Sequence, residues 1–281
     1  MTVKLLIFFY SIAIIFASLI GGWLAAIVKL QHTQTQMLMS YVSGLMLGIA
    51  FYHLLPHAIH ALGSDDAVDH AVWWLMVGML VMFVLLRLFH FHQHDPEVLD
   101  QSLDHSHCHG NEYEETHKLV SSLSWVGISV GMALHTLSDG VALGAAVQAG
   151  SMKHAPVFLS GFGVFAAIVL HKPLDAMSVT SLMQAGGWSL RSQFLANVIF
   201  AFICPIGAYL FILGAGQFGD TKNLLVGSAL SFSAGVFICI ALSDLLPEIQ
   251  FHSHDKLNLT VALFAGVLTA YGIGLLEGGS H

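Results

Sequence analysis

The middle of the chain carries two four-residue spacings suited to holding a metal ion. HTLSDG places His135 four residues before Asp139, and HKPLD places His171 four residues before Asp175. In a helix, positions i and i+4 lie on one face, a turn apart. Each pair therefore presents one imidazole and one carboxylate in the same direction. Two such pairs on neighbouring helices supply two nitrogen and two oxygen donors. That set suits zinc and tolerates iron, manganese or cadmium. None of the three cysteines, Cys108, Cys204 and Cys239, is placed to add a soft thiolate. The plain alternative is that both pairs make polar contacts between helices and bind nothing.

The elements that position these groups are set by composition. Of 281 residues, 56% are hydrophobic and only 9% are charged, against about 25% charged in an ordinary soluble domain. Too few charges remain to cover a water-facing surface, and apolar runs of about 20 residues recur along the chain. The expected fold is an all-α membrane protein with about eight spans, near 5–28, 37–62, 71–91, 119–149, 157–185, 192–214, 223–248 and 258–276. All of 1–281 is then one transmembrane domain in a lipid bilayer. The first apolar stretch is longer than a signal-peptide core and reads as a span. Formal net charge is −8, and no basic stripe suggests nucleic acid. His135 and His171 fall near the middle of spans four and five. An ionisable group there costs several kcal/mol unless it is paired, hydrated or metal-bound.

An internal repeat relates spans one to three to spans six to eight, around a central pair formed by spans four and five. Ser43–Ile59 in span two matches Ala234–Gln250 in span seven without gaps. Gly44 pairs with Gly235, Ile49 with Ile240, and Leu54-Leu55-Pro56 with Leu245-Leu246-Pro247. The polar pair His53/His57 then falls on Asp244/Glu248. Spans five apart cross in opposite directions, so the repeat is inverted, a layout of secondary transporters with sites near the midplane. Short-loop Lys and Arg weakly favour an outside N-terminus, with Lys29, Arg87, Lys118, Arg191 and Lys256 inside. On that orientation His53 and His57 face outward and suit ion arrival, while Asp244 and Glu248 face inward and suit release. The alternative for both pairs is simple solvation at helix ends. The loop at about 92–118, with His92, His94, His105, His107, His109 and His117 among carboxylates, is expected to be disordered and to bind metal weakly in a regulatory role.

These motifs together resemble the ZIP (Zrt/Irt-like) family of metal transporters, over nearly the whole chain. The resemblance implies eight spans in an inverted arrangement, a transport site on spans four and five, and import of metal into the cytoplasm. His135, Asp139 and Gly140 fit the family's fourth-helix pattern, and His171 and Asp175 fit its fifth, with Asp for Glu. Thr136 stands where Asn is frequent and Ser138 where Pro is frequent, and Pro173 comes one residue early. Lys172 occupies the position of a fifth-helix carboxylate that helps bind a second metal in binuclear members. A protonated amine cannot ligate a cation and repels one. Thr136 and Lys172 are therefore expected to tune the site toward a single metal, unless Lys172 snorkels to an interface. Pro173 removes a backbone hydrogen bond and either frees a carbonyl near the site or makes a packing kink.

The leading expectation is transport of a divalent metal, zinc first, by alternating access. No prosthetic group is expected; the ion is cargo. A homodimer is the one protein assembly entertained, and a plasma or bacterial inner membrane is favoured over an organelle. A cation-diffusion-facilitator exporter is expected to carry a soluble domain after six spans, for which no room remains. An intramembrane zinc hydrolase would need an open coordination position and a general base, and no H-E-x-x-H is present. A membrane metal receptor without transport is the remaining alternative.

Overall fold

Apolar stretches crossing a bilayer can satisfy their backbone polar groups only internally, and in the computed structural model the described chain follows that rule. The structure describes residues 2–27, 32–89, 112–152, 159–251 and 256–277. Among them the regular structure is helical, and eight stretches are long and apolar enough to span a membrane. Span one is α1 (Val3–Ile27). Span two comprises α2 (His32–Ile49), a π-helical turn at Ala50–Leu54, and α3 (Leu55–Leu62). Then follow α4 (Ala67–Phe89), α5 (Glu112–Met152), α6 (Phe162–Ala185), α7 (Leu190–Ala215), α8 (Lys222–Phe251) and α9 (Lys256–Leu276). These match the expected spans, with two differences. The second is interrupted by the π turn, and α5 begins earlier than residue 119. His117 lies in α5, whereas the other loop histidines, His92 to His109, lie outside the described residues.

The bundle is apolar outside as well as inside. On α9, Val261, Phe264, Leu268, Tyr271 and Leu275 are all exposed, and their three- and four-residue spacing puts them on one stripe. In water such a stripe would be a large adhesive patch. In a bilayer it is the surface that lipid covers.

Packing divides the helices into two groups. The most extensive pairings are α2 with α9, α4 with α8, α5 with α7, and α1 with α6. In span numbers these are 2 with 8, 3 with 7, 4 with 6, and 5 with 1. Exchanging spans one to three with six to eight, and four with five, maps the first pairing onto the second and the third onto the fourth. Individual crossings repeat the pattern. A Cβ added at Gly44 would run into the Leu263 carbonyl, and one at Gly235 into the Leu75 carbonyl. Likewise Gly266 abuts the Tyr41 carbonyl and Gly78 the Phe232 carbonyl; Gly207 abuts Leu137 and Gly21 abuts Pro173. Helices in lipid gain little from the hydrophobic effect on meeting, so small residues that admit close backbone contact set which ones pair. This packing is consistent with the inverted repeat. Pro173 lies at the crossing with α1, where its own carbonyl meets Gly21.

Candidate metal centre

The four candidate ligands come together. His135 and Asp139 from α5 and His171 and Asp175 from α6 each offer one donor atom, and these atoms all lie within 4.8 Å of one another. Close crossings hold them there. Gly140, next to Asp139, fits against the Cys204 carbonyl of α7, which draws Asp139 into complete burial. Asp175 is partly exposed to a cavity on one side.

Hydrogen-bond geometry fixes which atoms face inward. His171 Nδ1 lies 2.9 Å from the Ala167 carbonyl. A carbonyl can only accept, so Nδ1 donates, and Nε2 of the neutral ring carries a lone pair. That lone pair faces Asp139 Oδ2 at 3.2 Å and Asp175 Oδ2 at 3.7 Å. His135 Nε2 faces Asp175 Oδ2 at 3.4 Å. Lone pairs turned toward carboxylate oxygens repel unless a second proton or a cation joins them. His135 Nδ1 and Asp139 Oδ1, buried and 3.7 Å apart, make no hydrogen bond. Donors bound at about 2.0–2.1 Å in a tetrahedron stand about 3.4 Å apart, and the separations of 3.2–3.7 Å straddle that value. The donor set and spacing fit a zinc-sized cation.

Lys172 does not snorkel. It is 2% exposed and donates to Asp139 Oδ2 at 3.0 Å, to Thr136 Oγ1 at 3.0 Å and to Asp175 Oδ2 at 3.5 Å. Two carboxylates and one ammonium leave one net negative charge when the imidazoles are neutral. One divalent ion reverses that to one positive charge. A second divalent ion about 4 Å from the ammonium would meet a repulsion of about 8 kcal/mol at an effective dielectric constant near 20.

The site lies at the wall of a cavity of about 270 Å³, which is lined by His135, His171, Asp175 and Ser178 and reaches Ser243 and Asp244 of α8. Asp244 thus lines the same cavity as three of the four candidate ligands. Glu248 lies in α8, but its side chain is outside the described set. His53 and His57 do not line this cavity. They line a space of only about 10 Å³ with Gly161, Leu230 and Glu277. Glu277 escaped the sequence reading. It lies 224 residues from His53, its partner at 2.9 Å, and no spacing rule joins residues so far apart. Its only signal is a lone carboxylate closing an apolar span.

Helical spans, an inverted packing pattern and a buried His/Asp cluster beside a cavity together define a polytopic membrane protein built to handle a metal ion. The family model described as "ZIP Zinc transporter" matches residues 3–122 and 90–274; the chain belongs to the ZIP family. It is similar to zinc transporter ZIP9 of Micropogonias undulatus, 26% identical over 87% of this chain and 85% of that one. It is also 26% identical to zinc transporter ZIP9-A of Xenopus laevis, over 87% of this chain and 86% of the other. Zinc transporter foi of Drosophila melanogaster is 31% identical over 56% of this chain, but only 20% of its own length. Membership places the chain among transporters rather than enzymes.

Proposed function

We propose that the chain carries a divalent metal ion, zinc first, into the cytoplasm by alternating access, through one metal bound by His135, Asp139, His171 and Asp175. The observation that carries this reading is the convergence of those four residues beside a cavity lined from one end of the bundle, by Met39, Leu86, Leu182 and Asp244 among others. That side holds the ends of α4, α6 and α8 and the start of α9, and with them Arg87, Arg191 and Lys256. The excess of basic residues supports reading it as the cytoplasmic side. On that reading the conformation is inward-open, with the His53 side shut. Thr136 and Lys172 support a mononuclear site, because the ammonium holds the oxygens that a second ion would need. Names of the relatives favour zinc; iron, manganese and cadmium suit the same donors.

The test is zinc uptake into proteoliposomes by the wild type and by a His135→Ala/His171→Ala variant of equal folding, with iron, manganese and cadmium as competitors. Saturable uptake that the variant loses at least 100-fold is expected. Equal uptake by both would remove the site from α5 and α6. Absence of flux for all four metals under imposed ion and pH gradients would leave the receptor reading in its place. Anomalous scattering that locates two ions at the site would overturn the mononuclear assignment.

A further inference from the structure

The shut side is held by a built arrangement, not by loose apolar contact. His53 sits on the π turn of span two and is 2% exposed. Its ring occupies a slot between two glycines. A Cβ at Gly163 of α6 would stand 2.7 Å from Nδ1, and one at Gly274 of α9 would stand 3.4 Å from Nε2. Both ring nitrogens are engaged. Nε2 donates to the Ala270 carbonyl at 2.9 Å, and Nδ1 lies 2.9 Å from Glu277 Oε2. The other oxygen of Glu277 accepts from the Gly163 amide at 2.6 Å. That amide lies in the first turn of α6, where backbone N–H groups lack helical partners and favour negative charge. One carboxylate thus ties together span two, the start of span five and the end of span eight.

The same groups are metal ligands by type. His57, one turn beyond His53, donates Nδ1 to the His53 carbonyl at 2.6 Å, so Nε2 is the lone-pair nitrogen of its neutral ring. Two imidazoles and a carboxylate form a familiar zinc donor set. Because Nε2–H already donates to Ala270, the 2.9 Å contact of Nδ1 with Glu277 is a hydrogen bond only with a proton between them, and that proton occupies the lone pair an ion would need. Ligation and closure therefore exclude each other, and an ion that binds these residues shifts the equilibrium toward the open form. The other end is built from different residue types. The repeat register that pairs Gly78 with Gly266 puts Phe89 opposite Glu277, and Asp244, the counterpart of His53, lines the open cavity.

We propose that Glu277, His53 and His57 form a second divalent-cation site on the shut side, and that these residues lock that side by binding one another until the ion takes their place. The proposal rests on the transport reading for its kinetic test alone. First, Ala146, which lines the small space, is changed to Cys, and its labelling by a maleimide is followed in detergent against protein lacking that cysteine. Glu277→Gln is expected to speed labelling at least tenfold. Gly163→Ala, which pushes the ring out of its slot and leaves the carboxylate in place, is expected to do the same. Second, zinc binding is measured by equilibrium dialysis in the His135→Ala/His171→Ala background. Glu277→Gln is expected to lower the stoichiometry by one zinc, and Gly163→Ala to leave it unchanged. Third, zinc uptake by Glu277→Gln is expected to show a KM raised about tenfold with a smaller change in kcat. Labelling that neither variant accelerates would overturn the lock. A zinc stoichiometry indifferent to Glu277 would overturn the site. Should the wild type carry no zinc at all, the transport reading fails, while labelling and dialysis still judge this one.

Discussion

The His53 end and the Asp244 end of the molecule carry matching stretches of sequence in unlike surroundings. Each closes a polar-Leu-Leu-Pro-polar segment on one of the paired helices, spans two and seven. At one end the polar residue is buried in a slot and bound on both ring nitrogens. At the other it lines a cavity of about 270 Å³. The helix crossings below them are alike, glycine against carbonyl on both sides. A repeat can therefore conserve how helices meet while its tips diverge in charge. The proposed alternating access needs that freedom, because the two sides cannot be open together.

The largest test of this contrast lies at the site between the two ends. Asp139 is fully buried and holds Lys172 at 3.0 Å, whereas Asp175 borders the open cavity. Asp139→Ala leaves a buried ammonium without its nearest partner and is expected to cost about 3–5 kcal/mol. Asp175→Ala should cost less than half of that, because water reaches it. Denaturant unfolding in detergent would show the difference; equal losses would mean that the cavity does not hydrate Asp175.

A smaller effect tests the likeness. Gly44→Ala and Gly235→Ala each force a methyl against a backbone carbonyl and should each cost about 1–3 kcal/mol. The two losses are expected to agree closely in thermal unfolding. Sensitivity at one position only would mean that the crossings do not bear load in the same way. Smallest is the difference between the tips themselves. Glu277→Gln is expected to cost about 1.5 kcal/mol through its charged hydrogen bonds, and Asp244→Asn less than half as much. The reverse order in the same unfolding assay would contradict the assignment of the locked end.

Much of this was legible in residue order because lipid leaves the backbone few choices. Apolar runs gave eight spans, and the i, i+4 spacing of His135 with Asp139 and of His171 with Asp175 gave the cluster that the structure draws together. What sequence could not decide were contacts between distant elements. Lys172 could be read as snorkelling or as paired until Thr136 and Asp139 were seen around it. Glu277 gains meaning only from Gly163 and His53, which arrive from two other helices. The glycines read as a repeat signature, but the carbonyl that each one meets belongs to a different span.

The π turn at Ala50–Leu54 carries one further consequence. Its counterpart in span seven lies within α8, which is α-helical throughout. One residue corresponds to about 100° of helical rotation, and a π turn takes up one residue more than an α turn. Two segments that align residue for residue are thus wound out of phase past Ile49, so that the same position in the repeat looks in different directions. A sequence alignment without gaps conceals an angular insertion, and that rotation lets one half of a near-symmetric molecule aim a side chain into the protein where its twin faces a channel.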